Sequence, residues 1–257
     1  TRPVQYERGG YDSKTDIHCP MYIDYEESEK YCKSDGVKPY IQCEYAHAMG
    51  NSEGGFKEYW DLIRKYPKYQ GGYIWDFVDQ GLRDKSPVTG KEIFTYGGDY
   101  GRYPASDYNF NCNGIIAPDR RLNPHAYEIQ YWHQNVWIKD LDAVNGAFNI
   151  YNENFFKNID DLHLTATIYA NGVKLSTVEI PETKGIAPQT TKMVKSDALK
   201  YAIAEAESEH GKEEITVNFA FASDGTEPLV EKGQVMARQQ FVINEYQFDK
   251  VDTPIAA

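Results

Sequence analysis

One short stretch of the chain combines residue types that can do covalent chemistry. It is Cys43-Glu44-Tyr45-Ala46-His47-Ala48-Met49-Gly50-Asn51-Ser52. A carboxylate closes an apolar run, and an imidazole follows three residues later. A Gly-Asn-Ser turn then leads onward. A carboxylate so placed can attack an electrophilic carbon such as an anomeric centre, provided that a second carboxyl group stands nearby as acid/base. Other runs also end in residues suited to a site: Glu7, Tyr22 and Trp75. In a barrel of parallel strands the C-terminal strand ends form the active face.

The elements that would position these residues are short. Extended runs are expected at 3–6, 16–22, 40–45 and 71–77, the last rich in aromatic and β-branched residues. Between the third and fourth, Phe56, Trp60 and Ile63 recur at helical spacing. Asn51 or Ser52 is expected to cap that helix and Pro67 to end it. Strand, helix, strand implies βα units and a parallel sheet.

Composition divides the chain near Asn123-Pro124-His125. Residues 1–125 hold 16 Lys/Arg against 19 Asp/Glu, and the remainder 11 against 20, for a total charge of −12. Fifteen of the 21 Tyr and all four Cys lie in the first part. An acidic balance disfavours nucleic acid or an anionic membrane as partner, and no apolar run approaches a membrane-spanning length. The cysteines lack CxxC spacing, so no zinc site is expected, and Cys19 and Cys43, inside apolar runs, are expected to be small buried thiols rather than a disulfide. After residue 126 the pattern turns to short alternating strands at 136–141, 147–152, 162–169, 173–180, 214–221 and 234–243. Ala170-Asn171-Gly172 forms a hairpin turn, and 197–209 a helix. The acidic run 205–214 reads as a solvated loop. This is the pattern of an immunoglobulin-like β-sandwich without the Cys-Trp-Cys signature.

The ten residues CEYAHAMGNS closely resemble the nucleophile segment of the large bacterial β-galactosidases of glycoside hydrolase family 2. Arg2 to Glu7 resembles that family's fifth barrel strand, Cys19-Pro20-Met21-Tyr22 its sixth, and Gly71 to Asp76 its eighth. Tyr96 to Gly101 and Asn113-Gly114 resemble the loop region that follows. The implied architecture is the C-terminal half of a (β/α)8 TIM barrel over 1–125, an immunoglobulin-like sandwich over 126–248 and a linker at 249–257. By resemblance, Glu44 is the nucleophile and Tyr22 the phenol that hydrogen-bonds it. His47 binds a sugar hydroxyl and Trp75 carries the galactose ring. The Phe110 carbonyl and Asn113 belong to a sodium and 6-hydroxyl site, and Glu7 has a supporting role.

The family's acid/base Glu follows the fourth strand in a Gly-Asn-Glu context, which this sequence lacks. The start at Thr1 looks cut, and the ending looks like a linker, so a fragment of a longer enzyme is expected. Magnesium ligands and the sodium ion's carboxylate ligand are expected upstream. The expectation is therefore a β-galactoside-hydrolysing parent, homo-oligomeric and of unspecified compartment, and a fragment inactive alone. The alternative is a non-catalytic carbohydrate-binding or structural module on the same scaffold. Two unpaired edges of a half-barrel would favour association.

Overall fold

The computed structural model describes residues 2–10, 13–101 and 107–248. The expected linker at 249–257 lies outside them. The chain forms two compact units, Thr1–Trp132 and His133–Ala257. No helix among the described residues is long and apolar enough to cross a membrane.

The first unit is built on parallel pairing. Strand β1 (Tyr40–Tyr45) pairs in parallel with β2 (Tyr69–Ile74). The connection carries helix α2 (Phe56–Lys65), the βα arrangement expected of a parallel sheet. On the other side of β1 lies the segment around His18 to Tyr22, joined by parallel bridges His18↔Tyr40 and Met21↔Glu44. This segment was expected to be a strand, but it makes only bridges. Pro20 has no N–H to give, although its carbonyl accepts from Cys43 N at 2.9 Å. Residues 3–6 form no strand either. Val4 and Tyr6 are half exposed, and the ties to the neighbouring segment are Val4 with Asp16 and Gln5 Nε2 donating to Cys19 Sγ at 3.1 Å, short of a strand ladder. Glu7 sits in an exposed turn.

Helix α2 is not capped by Asn51 or Ser52. Its N-cap is Gly55, with φ +68° and no side-chain bond, while Ser52 Oγ donates to the carbonyls of His47 and Met49. The helix ends at the cap residue Tyr66, just before Pro67. A helix not expected from the sequence, α1 (Tyr25–Lys33), precedes β1, and its N-cap Asp24 accepts from Glu27 N. A short hairpin, β3 (Leu82–Lys85) with β4 (Glu92–Thr95), follows β2. Helix α3 (Ala126–Trp132) closes the unit.

Aromatic residues form much of this unit's interior. Tyr40, Tyr69 and Cys32 bury together, with Tyr59, Leu62 and Ile63 against them. Tyr45, Phe56 and Ile129 make a second cluster. Tyr40 and Tyr69 meet edge to face at 4.6 Å, and Tyr45 and Tyr59 at 5.1 Å, arrangements favoured by the ring quadrupoles. Cys19 and Cys32 are buried, Cys43 half-buried and Cys112 exposed, all four as free thiols.

The second unit is a β-sandwich. One sheet holds β5 (Val136–Asp142), β6 (Ala147–Asn152) and β9 (Thr190–Lys195). The other runs β11 (Val235–Asn244), β10 (Ile215–Ser223), β7 (Leu162–Ala170), β8 (Val173–Ile180). Both sheets are antiparallel throughout. Asn171 and Gly172, at φ +45° and +77°, make the tight β7–β8 turn. One core joins the two sheets, with Phe148 and Phe219 rings 4.9 Å apart. Helix α4 (Asp197–His210), capped by Ser196, adds Leu199, Ile203 and Ala206 to that core. The acidic run from Glu205 is thus helical as far as His210 rather than loop. Ala and Glu are good helix formers, and Ala206 is buried on the inner face. Strand β9 was not expected from the sequence.

Truncating Phe219, which is fully buried against Phe148 and Phe241, removes the ring that joins the two layers. Phe219→Ala is expected to cost about 3–5 kcal/mol, read as a lowered urea midpoint for the second unit.

Candidate active site

The site begins with β1. Its buried Gln42 accepts from Ile23 N at 2.8 Å and donates to Ile23 O and to the Tyr69 hydroxyl. That clamp fixes the segment just after Tyr22. Backbone pairing does the rest, because Tyr22 N donates to Glu44 O at 2.9 Å. The two residues therefore lie side by side at the ends of adjacent parallel segments, with the Tyr22 phenol near enough to the Glu44 carboxylate to feel its charge. Tyr22 itself adopts φ +50°, an uncommon backbone state for a bulky residue. Burial first, and then the neighbouring Glu44 carboxylate, push its phenol well above the usual range, with Asp76 among the nearby charges. The phenol thus stays protonated and remains a donor at neutral pH.

Past β1 the chain turns at Ala46, φ +52°, and presents His47. The His47 ring lies 5.7 Å from Tyr22 and 5.6 Å from Phe110, centroid to centroid. Its Nε2 is 2.9 Å from Asn113 Oδ1. Asn113, itself buried, donates from Nδ2 to the Phe110 carbonyl. Glu44, Tyr22, His47, Asn113 and Phe110 are therefore linked by direct contacts within the first unit. The Phe110 carbonyl and the Asn113 amide oxygen are hard donors of the type a sodium ion takes, and each retains a second lone pair. Among the described residues no cluster of three or more His, Cys, Asp or Glu could hold a metal ion.

Trp75 follows β2, half-buried, and is tied to the same loop because Ala48 N donates to its carbonyl at 3.0 Å. The Trp75–Asp76 peptide is cis. Trp75 Nε1 and Asp76 Oδ1 are both buried without a hydrogen-bond partner among the described residues, whereas Asp76 Oδ2 accepts from Gln80. Buried polar atoms left this way are costly, so Asp76 joins the candidate residues. Its position directly after Trp75 at a strand end was the available signal. Glu7, placed in an exposed turn, is not in this group.

A further pair was not singled out from the sequence. The Glu53 side chain is fully buried behind the His47 turn, with Oε2 3.0 Å from His125 Nε2. Burial first, then the charge of Glu128, pushes the Glu53 carboxyl up to about 8.

The chain was compared with known proteins. Residues 1–138 match the family model "Glycosyl hydrolases family 2, TIM barrel domain", and residues 148–248 match "Beta-galactosidase, domain 4". A β-galactosidase of Leuconostoc mesenteroides is 36% identical over 95% of this chain and 24% of its own length. One from Halalkalibacterium halodurans is 42% identical over 68% of the chain and 17% of its own length. One from Aeromonas hydrophila is 40% identical over 76% and 20%. The chain thus spans about a quarter or less of the length of these relatives.

Gly114 tests how tightly the site is held. A Cβ there would lie 2.0 Å from Asp79 N and 2.5 Å from Ile116 O, both backbone atoms. Gly114→Ala is expected to cost about 1–3 kcal/mol in urea unfolding and to shift the His47 ring signals in NMR. Unmoved His47 signals would show that Gly114 does not hold Asn113 in place.

Proposed function

The chain belongs to glycosyl hydrolase family 2, and from that premise we propose that it carries the nucleophile side of a retaining β-galactosidase. The observation that supports this most is the pairing of Glu44 with Tyr22, backbone to backbone at 2.9 Å with the phenol near the carboxylate, and His47 and Asn113 beside them.

In this reading a Glu44 oxygen attacks the anomeric carbon of a terminal β-galactoside as the C–O bond to the leaving group breaks. The product of that step is a galactosyl ester of Glu44, which water then cleaves. The leaving oxygen takes its proton from an acid/base Glu that this chain does not supply. Tyr22 O–H donates to the carboxylate and steadies its charge as the ester breaks down. His47 and Asn113 bind sugar hydroxyls, and Trp75 offers its flat face to the C–H side of the ring. The Phe110 carbonyl and Asn113 would hold a sodium ion, which supplies fixed positive charge for a sugar hydroxyl. Magnesium belongs to residues outside this chain.

The domain assignment follows the same reading: barrel residues over 1–125, an immunoglobulin-like sandwich over 126–248 as a spacer, and a linker at 249–257. We also propose that the working enzyme is a homo-oligomer. General acid help contributes roughly 10²–10⁴-fold, so the 257-residue chain alone is expected to turn over chromogenic β-galactosides far below the rate of a full-length relative. Turnover at the full rate would overturn that part.

Labelling of the full-length protein with a 2-fluoro-galactoside is expected to place the sugar on Glu44, and Glu44→Gln to abolish the label. A label on another residue removes the assignment, whereas sugar binding without any label favours a non-catalytic carbohydrate-binding module. Tyr22→Phe in the full-length protein is expected to lower kcat by about 10²-fold, as loss of one preorganised donor does.

A further inference from the structure

Behind the His47 turn lies a cavity of about 440 Å³ whose walls include Glu53, His125, Asp79 and Glu128. Glu53 reaches it from the β1–α2 connection, with φ +46°. Its side chain is fully buried, and neither carboxyl oxygen makes a hydrogen bond within the described residues. Its near neighbour is the His125 imidazole, 3.0 Å from Oε2. The same His125 Nε2 stands 3.1 Å from the carbonyl of Gly114, the residue after Asn113.

We propose that Glu53 and His125 are a buried proton-sharing pair that ties the His47 turn to Gly114 and so positions Asn113 against His47. The role of positioning a sugar site rests on the reading of His47 and Asn113 given above. The tie itself rests on the contacts alone.

The chemistry follows from one proton and two places for it. With the proton on Nε2, the imidazole N–H donates to Gly114 O, and the Glu53 carboxylate lies alongside as its counter-charge. With the proton on Glu53, the carboxyl O–H donates to a bare Nε2. Gly114 O then loses the imidazole donor and keeps only Asn123 Nδ2, at 2.8 Å. Nε2 cannot donate to one oxygen and accept from the other at once.

The groups around Glu53 favour holding the proton. Glu128 on α3 and Asp79 past β2 are carboxyls on the same cavity, and Tyr45 of β1 is a phenol close enough to interact with Glu53. Cys112 lines the cavity as well. Asp79 is already engaged, accepting from Gly114 N at 2.7 Å and facing Asn123 Nδ2 at 3.5 Å. Among these groups His125 is the one that can carry positive charge. Burial first, and then the charge of Glu128, push the Glu53 carboxyl from 4.5 up to about 8. Folded protein then binds this proton more tightly than unfolded chain does. The associated stability is complete below about pH 4.5 and is lost as pH rises toward about 8.

The test uses the intact 257-residue chain, labelled for NMR and titrated from pH 5 to 9. The Glu53 carboxyl carbon is expected to titrate above the ordinary carboxylate range. The Asn113 side-chain amide and the Gly114 amide are expected to move with the same midpoint. In Glu53→Gln that shared step should vanish from Asn113 and Gly114. Static Asn113 signals while Glu53 titrates overturn the proposal, as does a step that survives in Glu53→Gln. The unmutated chain decides the first of these even if the variant fails to fold. Failure of the label on Glu44 would sink the catalytic reading and leave this titration untouched.

Discussion

Everything in the candidate site depends on the backbone pairing of the Tyr22 segment with β1. The bond from Tyr22 N to Glu44 O sets the two residues in register, and a slip of one residue would turn one side chain to the other face. Gln42 makes such a slip expensive. Its amide satisfies both the N–H and the carbonyl of Ile23, so displacement would strand buried polar groups. A buried glutamine in the middle of a strand is usually a poor choice for stability. Here it converts the polarity of one backbone into the placement of a phenol.

The second level of order comes from loops. His47 touches Asn113 and Asn113 holds the Phe110 carbonyl, so residues far apart in sequence share one hydrogen-bonded chain. Gly114 permits it, since any Cβ would strike the backbone at Asp79 and Ile116. The loops are long, but the hydrogen bonds among His47, Asn113, Phe110, Gly114 and Asp79 pin them together, which is how an irregular segment can hold a precise geometry.

Much of this was legible in the sequence because the signals were local. Glu44, Tyr22 and Trp75 stand at the ends of extended runs, and the recurrence of Phe56, Trp60 and Ile63 marked α2. In the second unit the alternation along β7 and β10 matched one face in and one out. What escaped had weak or competing signals. Helix α1 opens with Asp24 and Glu27 at capping spacing, but its body is nearly all polar. The β3–β4 hairpin exposes every residue of β3, so alternation carried no information there. Strand β9 buries only Val194. The cap of α2 went to Gly55 because Ser52 was already committed to the His47 turn. Glu53 and His125 are unremarkable as separate residues, and only folding brings the unbonded carboxyl to an imidazole that Gly114 also contacts.

The contrast between parallel and antiparallel pairing has a kinetic side. In the second unit, β7 and β8 meet across a two-residue turn, so their contacts close early and at little entropic cost. In the first unit, β1 and β2 can pair only after the intervening 23 residues, 46–68, have folded back with α2. Contacts of such separation form slowly. Glu44 lies on a strand whose pairing with β2 closes a far longer loop than the β7–β8 turn does, at a correspondingly larger entropic cost.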